Sequence, residues 1–249
     1  MSVLLLQLAG PLQSWGDSSR FIRRETKREP TKSGVIGMLA SAQGRAREES
    51  IEDLLKLSFG VRVEQEGRLL CDLQTEKSLT RTKTGKFEKV MPLTNRYYLA
   101  DARFLVALGA DVSLLESLDQ ALRSPRWPLY LGRRSCPPEF PISLGVHEEY
   151  ENVRQALERE RWHASGWYRK RYHFPDLNIA CDSDEGETAS SQADIPLSFS
   201  QNGRKYAGRA VHRYQIANPD KPLNDEDGHN GRSDMPPLFT GEDDPLGFA

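Results

Sequence analysis

Apolar residues first cluster at positions 3–8 and stop at Gly10 and Pro11. A short unbroken apolar run of this kind predicts a buried strand. Val35, Ile36, Leu39 and Ala42 then recur at helical spacing. They predict a helix that starts at Thr31 or Ser33, runs to about residue 46 and ends near Gly44. A second, short helix is expected from Ser50 to Leu57, with Asp53 at the capping-box spacing. Strands are expected over 59–64 and 68–74, joined at Glu66 and Gly67. A polar, basic stretch at 76–95 breaks the pattern, and a strand resumes over 97–108.

Leu114, Leu115, Leu118 and Leu122 share one helical face that Asp111 or Ser113 can cap and Pro125 ends. Residues 129–131 and 142–146 read as short strands, 148–161 as a helix and 167–172 as a strand. The segment 182–194 is acidic and Ser-rich, which predicts a loop. Asn202 and Gly203 mark a hairpin turn between 197–200 and 205–216. The order strand, helix, strand, strand, helix, strand predicts an α+β protein built on a ferredoxin-like unit. The basic stretch is an insertion between or just after the middle strands. Expected boundaries are 1–146 for this unit, 147–216 for a smaller α/β C-terminal portion rich in strand, and 217–249 for an acidic, disordered tail.

Charge sharpens this picture. Residues 1–180 hold 28 Lys and Arg against 23 Asp and Glu, whereas residues 181–249 hold 6 against 13. A basic body with an acidic tail suits a polyanion partner. The three cysteines, Cys71, Cys136 and Cys181, lie far apart and form no CxxC pair, which fits a reducing compartment and argues against a disulfide scaffold or a zinc ribbon. The opening apolar run is too short for a signal peptide, and no stretch nears the ~20 apolar residues of a membrane span. A soluble cytoplasmic protein is expected.

Four segments could carry chemistry. The helix start at Lys32, Ser33 and Gly34 offers unpaired N–H groups, a hydroxyl and a cation, which together could cradle a phosphate. Plain helix capping explains the same residues. The stretch from Lys77 to Arg96 carries Lys77, Arg81, Lys83, Lys86 and Lys89 with Glu88 as the only acid among them, and Phe87, Tyr97 and Tyr98 could stack on bases. Gly132 precedes Arg133 and Arg134, whose guanidinium forks suit phosphate. The run from Arg169 to His173 could face RNA or water. Upstream, Trp15 precedes a basic stretch with Arg20, Arg24 and Lys27 as further candidate RNA contacts. The five histidines form no metal spacing, and no cofactor fingerprint is present. His163, Tyr168 and Lys170 could on paper cleave RNA without metal, but almost any such trio could.

The stretches LQLAGPLQSWG at 6–16, PTKSGVIGML at 30–39, YLADARFLVAL at 98–108 and YLGRRSCP at 130–137 together resemble the CasD family, in order, over 3–146. The resemblance implies a RAMP-superfamily subunit of a type I-E CRISPR Cascade complex. Its fold would be a ferredoxin-like, RRM-like domain with a basic β-hairpin thumb, here at about 76–97, and a smaller C-terminal portion. It implies that the chain caps the 5′ handle of the crRNA, contacts the CasC backbone subunit and the CasA large subunit, and meets target DNA through the assembled complex. It places Lys32, Ser33 and Gly34 at handle phosphates and implies no catalytic role. The rival readings are a metal-independent endoribonuclease that processes precursor crRNA, and an RNA-binding module unconnected with CRISPR.

Overall fold

A computed structural model of the protein describes residues 2–16, 22–76, 83–85, 92–200, 203 and 205–222. In chain order the elements are β1 (Ser2–Ala9), β2 (Leu12–Gln13), β3 (Arg23–Arg24), α1 (Lys32–Gln43), α2 (Glu52–Leu55), β4 (Ser58–Gln65), β5 (Arg68–Gln74), β6 (Thr94–Ala100), β7 (Arg103–Ala110), α3 (Val112–Arg123), β8 (Ser143–His147), α4 (Val153–Arg159), α5 (Gly166–Tyr172), β9 (Leu177–Asp182), β10 (Ser190–Ser198) and β11 (Lys205–Ile216).

The molecule is α+β, with few helices around a large antiparallel sheet. Seven strands lie in the order β10-β11-β9-β4-β7-β1-β8, and every neighbouring pair is antiparallel. The apolar run of β1 is buried on both faces, as its composition demands. Leu4, Leu6 and Leu8 pack toward α1 and α3, while Val3 and Leu5 pack toward α4. Each fully buried leucine contributes roughly 1.5–3 kcal/mol. Helix α1 starts at Thr31, whose hydroxyl accepts from the Gly34 N–H at 3.2 Å, and ends at Gly44 in the left-handed region. Helix α3 starts at Asp111 and buries Leu115, Leu118 and Leu122.

A second sheet stands beside the first, with β6 at its centre. β2 pairs antiparallel with β6, β3 pairs parallel with it, and β5 runs antiparallel against its length from Arg68↔Ala100 to Gln74↔Thr94. The single strand expected over 97–108 is therefore two. Asp101, at φ 59°, turns the chain between β6 and β7 and sends them into different sheets.

Other expectations are corrected. The segment 167–172 is helix α5, because Tyr168 and Tyr172, four apart, stack inward at 4.2 Å. Residues 129–131 are irregular and bend at Leu131 instead of forming a strand. The acidic stretch 182–194 is not one loop: β9 reaches Asp182, β10 starts at Ser190, and Asp194 is fully buried. Asp53 does not cap α2 but holds Arg45 through two hydrogen bonds. That guanidinium holds the Asp53 carboxyl below the usual carboxylate range.

Candidate nucleic-acid interface

The turn that carries the two arginines is built to be rigid. Leu131 and Cys136 are fully buried. The Leu131 N–H donates to the Cys136 carbonyl at 2.7 Å, and the Ser14 N–H donates to the Leu131 carbonyl at 3.0 Å, so the turn closes on itself and onto the end of β2. Gly132 sits between these bonds at φ +91°, and a Cβ there would fall 1.8 Å from the Ser14 carbonyl oxygen. Only glycine fits. Arg133 then reaches back. Its guanidinium donates to the Tyr97 carbonyl at 3.1 Å and the Arg24 carbonyl at 2.7 Å, and lies 4.8 Å from the Tyr98 ring centroid. It clamps the turn to β6 and β3. Arg134 points outward, exposed and without an ion pair among the described residues.

Trp15 is the floor of the same region. It is 1% exposed, and its indole N–H donates to Gln13 Oε1 at 3.0 Å. Gly34 lets α1 rest on that indole, since a Cβ at Gly34 would meet Trp15 Cε3 at 2.9 Å. Trp15 therefore packs as a core residue, and its ring is not presented to a base.

The start of α1 differs from the phosphate cradle expected of it. The Lys32 N–H donates to Asp194 Oδ2 at 3.0 Å, and the Lys32 ammonium lies 3.3 Å from Asp182 Oδ2 with its side chain 7% exposed. Arg209 bridges the two carboxylates, giving Asp194 two hydrogen bonds at 2.9 and 2.8 Å and Asp182 one at 2.8 Å. Burial opposes the Arg209 charge, but Asp194 and then Asp182 outweigh it and raise its pKa. The protein's own carboxylate thus occupies the helix N-terminus, where the dipole favours an anion. Lys32 faces inward, and Ser33 is buried with its hydroxyl 3.3 Å from Thr31 Oγ1.

These pieces enclose a groove of about 950 Å³ between α1, the 127–134 turn and the β10–β11 end of the large sheet. Of the residues singled out in the sequence, Trp15, Arg24, Ser33, Gly34, Arg133 and Arg134 line it, whereas Lys27 and Lys32 do not. Lys27 is exposed, and its N–H donates to the Trp15 carbonyl at 2.9 Å. Lys83 is exposed on the segment between β5 and β6. Arg20, Lys77, Arg81, Lys86 and Lys89 lie outside the described residues.

The groove also holds residues that sequence reasoning missed. Arg45 and Arg47 line it, so among the described residues five arginines and one acid, Glu25, line the groove, with Arg45 also paired to Asp53. Trp127, 43% exposed, and Tyr206, 36% exposed, offer open aromatic faces, with Tyr130 and Phe199 beside them. Guanidiniums with open aromatic rings suit the phosphates and bases of a single strand. No local signal marks this set. Arg47, Trp127 and Tyr206 come from three distant segments and meet only in the fold.

The trio considered for RNA cleavage is not assembled. His163 is 8% exposed and its Nε2 lies 2.9 Å from Glu160 Oε1. Tyr168 is buried against Trp162, and burial pushes its hydroxyl up to about 12. Lys170, two residues along α5, lies on the exposed face. No group of three or more His, Cys, Asp or Glu among the described residues is placed to hold a metal. No helix among them is long and apolar enough to cross a membrane.

Comparison with known proteins gives a consistent answer. A model of the CRISPR-associated protein (Cas_Cas5) family matches residues 3–212. The CRISPR system Cascade subunit CasD of Escherichia coli K12 is 34% identical over 175 residues, which span 64% of this chain and 77% of that protein. A solved structure described as a crystal structure of a Cas protein is 37% identical, with a TM-score of 0.67 over 88% of this chain and 97% of that one. A chain of a CRISPR RNA-guided surveillance complex is 31% identical, with a TM-score of 0.72 over 88% of this chain and 91% of that one. The match runs from β1 into β11 and takes in most of the groove, and the chain belongs to the CRISPR-associated protein (Cas_Cas5) family.

Proposed function

We propose that this chain is a non-catalytic, crRNA-binding subunit of a type I-E Cascade complex and holds the 5′ handle of the guide in the groove between α1 and the 127–134 turn. The observation that carries this reading is the groove itself, lined among the described residues by five arginines, of which Arg45 is paired with Asp53, by one acid and by two open aromatic rings. Likeness to CasD and to a surveillance-complex chain supplies the RNA's identity. Handle phosphates meet Arg134 and Arg47, and bases stack on Trp127 and Tyr206. Arg133, Trp15 and Gly34 shape the groove, and Lys32 anchors it from behind.

The finer architecture follows the same reading. β1, α1, β4, β7, α3 and β8 are the ferredoxin-like unit, supported by the strand order β4-β7-β1-β8 with both helices on one face. Residues 1–146 form the RAMP domain, 147–216 the C-terminal portion and 217–249 an acidic tail. The basic stretch is a thumb, a reading supported by the antiparallel β5–β6 pair that flanks it in sequence. Within the complex the chain joins the CasC backbone subunit to the CasA large subunit, and target DNA reaches it there, in the cytoplasm. Buried His163 and Tyr168 support the absence of cleavage.

The test is to purify the full chain with its partner subunits and sequence the RNA that accompanies it. Repeat-derived 5′ ends are expected with the wild type and are lost or strongly depleted with Trp127→Ala/Arg134→Ala. Bound RNA without repeat sequence would favour a generic RNA-binding module.

A further inference from the structure

The opposite face of the large sheet carries a second basic surface. Gln7 and Arg103 occupy odd positions of β1 and β7, on the side of Val3, Leu5 and Leu105 that packs against α4. They border a depression of about 310 Å³ together with Phe140, Arg161, His163 and Arg169. Phe140 is 45% exposed, and the Arg103 guanidinium lies 5.5 Å from its ring centroid. Helix α5 stands beside this depression. Its Tyr168 and Tyr172 turn toward the core, so Trp167, Lys170 and Arg171, at i, i+3 and i+4, share its outer face. Trp167 is 50% exposed.

Two of the acids nearby are engaged, while Glu66, exposed and near Tyr168, also lies close to α5. Glu139 holds Arg103 at 3.0 Å. Glu160 holds His163 at 2.9 Å and lies 4.0 Å from Arg161, whose side chain is 76% exposed. Arg169 is committed to the backbone, donating to the Ala164 and Trp162 carbonyls. Lys170 and Arg171 have no ion pair among the described residues. None of these groups contributes to the groove on the other face.

We propose that this surface binds single-stranded nucleic acid independently of the groove. A duplex would meet the cations with its phosphates but offer no unpaired base to stack on the exposed parts of the Trp167 and Phe140 rings. A protein interface usually has a contiguous apolar centre, whereas Phe140 shares its depression with Arg103, Arg161 and Arg169. Open aromatic faces among exposed cations match a strand whose bases are unpaired, with stacking tolerant of sequence and phosphates neutralised between the rings. The ligand chemistry is shared by RNA and single-stranded DNA.

The experiment uses the full chain carrying Trp127→Ala/Arg134→Ala, so that the groove is weakened in every arm. This keeps a failure of the groove assignment separate from a failure of this one. Fluorescent oligothymidylate and oligouridylate of about 15 nucleotides cover one such site. Residual binding is expected in this background, and adding Trp167→Ala should weaken it about tenfold. Adding Arg161→Glu/Lys170→Glu/Arg171→Glu should abolish it. The milder Lys170→Gln, on an exposed position, should flatten the dependence of log affinity on log salt by about 0.7. Binding of both oligomers assigns the site to either strand chemistry, and binding of oligouridylate alone assigns it to RNA. Loss of all binding in the groove background, or binding unmoved by the Trp167 and Lys170 variants, would overturn the proposal. The second result would leave the surface to a protein partner.

Discussion

Asp194→Ala should be among the most damaging single substitutions in the chain. The Asp194 carboxylate is completely buried and accepts from the Lys32 N–H at 3.0 Å, Gln192 Nε2 at 3.0 Å, and Arg209 at 2.9 and 2.8 Å. Removing it leaves Arg209, 7% exposed, with Asp182 as its remaining ion-pair partner, and takes the acceptor from the first N–H of α1. Breaking a buried ion pair from one side costs about 3–5 kcal/mol, because the remaining charge is stranded. For a chain of this length each kcal/mol moves Tm by about 2–4 °C, so the expected fall is about 6–20 °C. Differential scanning calorimetry reads it directly. The same logic predicts that Asp194→Leu/Arg209→Met recovers most of the loss, since no buried charge is left alone. RNA affinity, measured well below the lowered Tm, should also fall for Asp194→Ala, because α1 forms one wall of the groove. A change under about 2 °C would show that the network contributes little. A double variant no better than the single would refute the stranded-charge argument.

Three further outcomes are expected. Replacing Arg81, Lys83 and Lys86 by alanine should flatten the salt dependence of RNA binding by about 2 in log–log slope while circular dichroism stays unchanged; an unchanged slope would remove the thumb from the interface. The Glu160 carboxyl is held at about 2, chiefly by His163 against the effect of burial and with help from Tyr150. Because its folded pKa lies below the ordinary 4.5, this contribution is complete above about pH 4.5 and is lost as pH falls toward 2. Glu160→Gln should therefore lower the urea midpoint at pH 7 and narrow the gap to wild type as pH falls below about 4.5, and a constant gap would contradict the assignment. Finally, the purified chain should leave a repeat RNA intact in the absence of divalent metal; cleavage abolished by His163→Ala would instead establish the endoribonuclease reading.

Much of the fold is legible wherever one physical signal dominates. The run at 3–8 read as a buried strand, and the spacing of Val35, Ile36, Leu39 and Ala42 read as a helix face. Thr31, Gly44 and Asp111 marked helix ends because capping is local chemistry. The failures share a cause as well. Helix α5 resembled a strand because its short run is rich in aromatic residues, and the Tyr168–Tyr172 spacing that makes it a helix matters only once Trp162 is there to pack against. β6 and β7 resembled one strand because nothing local announces the turn at Asp101.

Site residues divide in the same way. Gly34, Arg133 and Arg134 were singled out from sequence, but the packing role of Gly34 and the clamping role of Arg133 were not. Lys32 seemed a phosphate ligand because its partners, Asp182 and Asp194, lie 150 and 162 residues away. Arg133 seemed equal to Arg134 because its acceptors are backbone carbonyls, which no side-chain pattern reveals. Trp127 and Tyr206 have no motif, and the fold alone brings them to one groove.

The most direct test of the central claim is photocrosslinking of the assembled complex, with 4-thiouridine placed through the 5′ handle of the guide RNA and crosslinked peptides identified by mass spectrometry. The account predicts crosslinks from handle positions to the peptide carrying Trp127 to Arg134 and to the peptide carrying Tyr206. Handle crosslinks confined to other subunits, or to the α5 face of this chain, would contradict it.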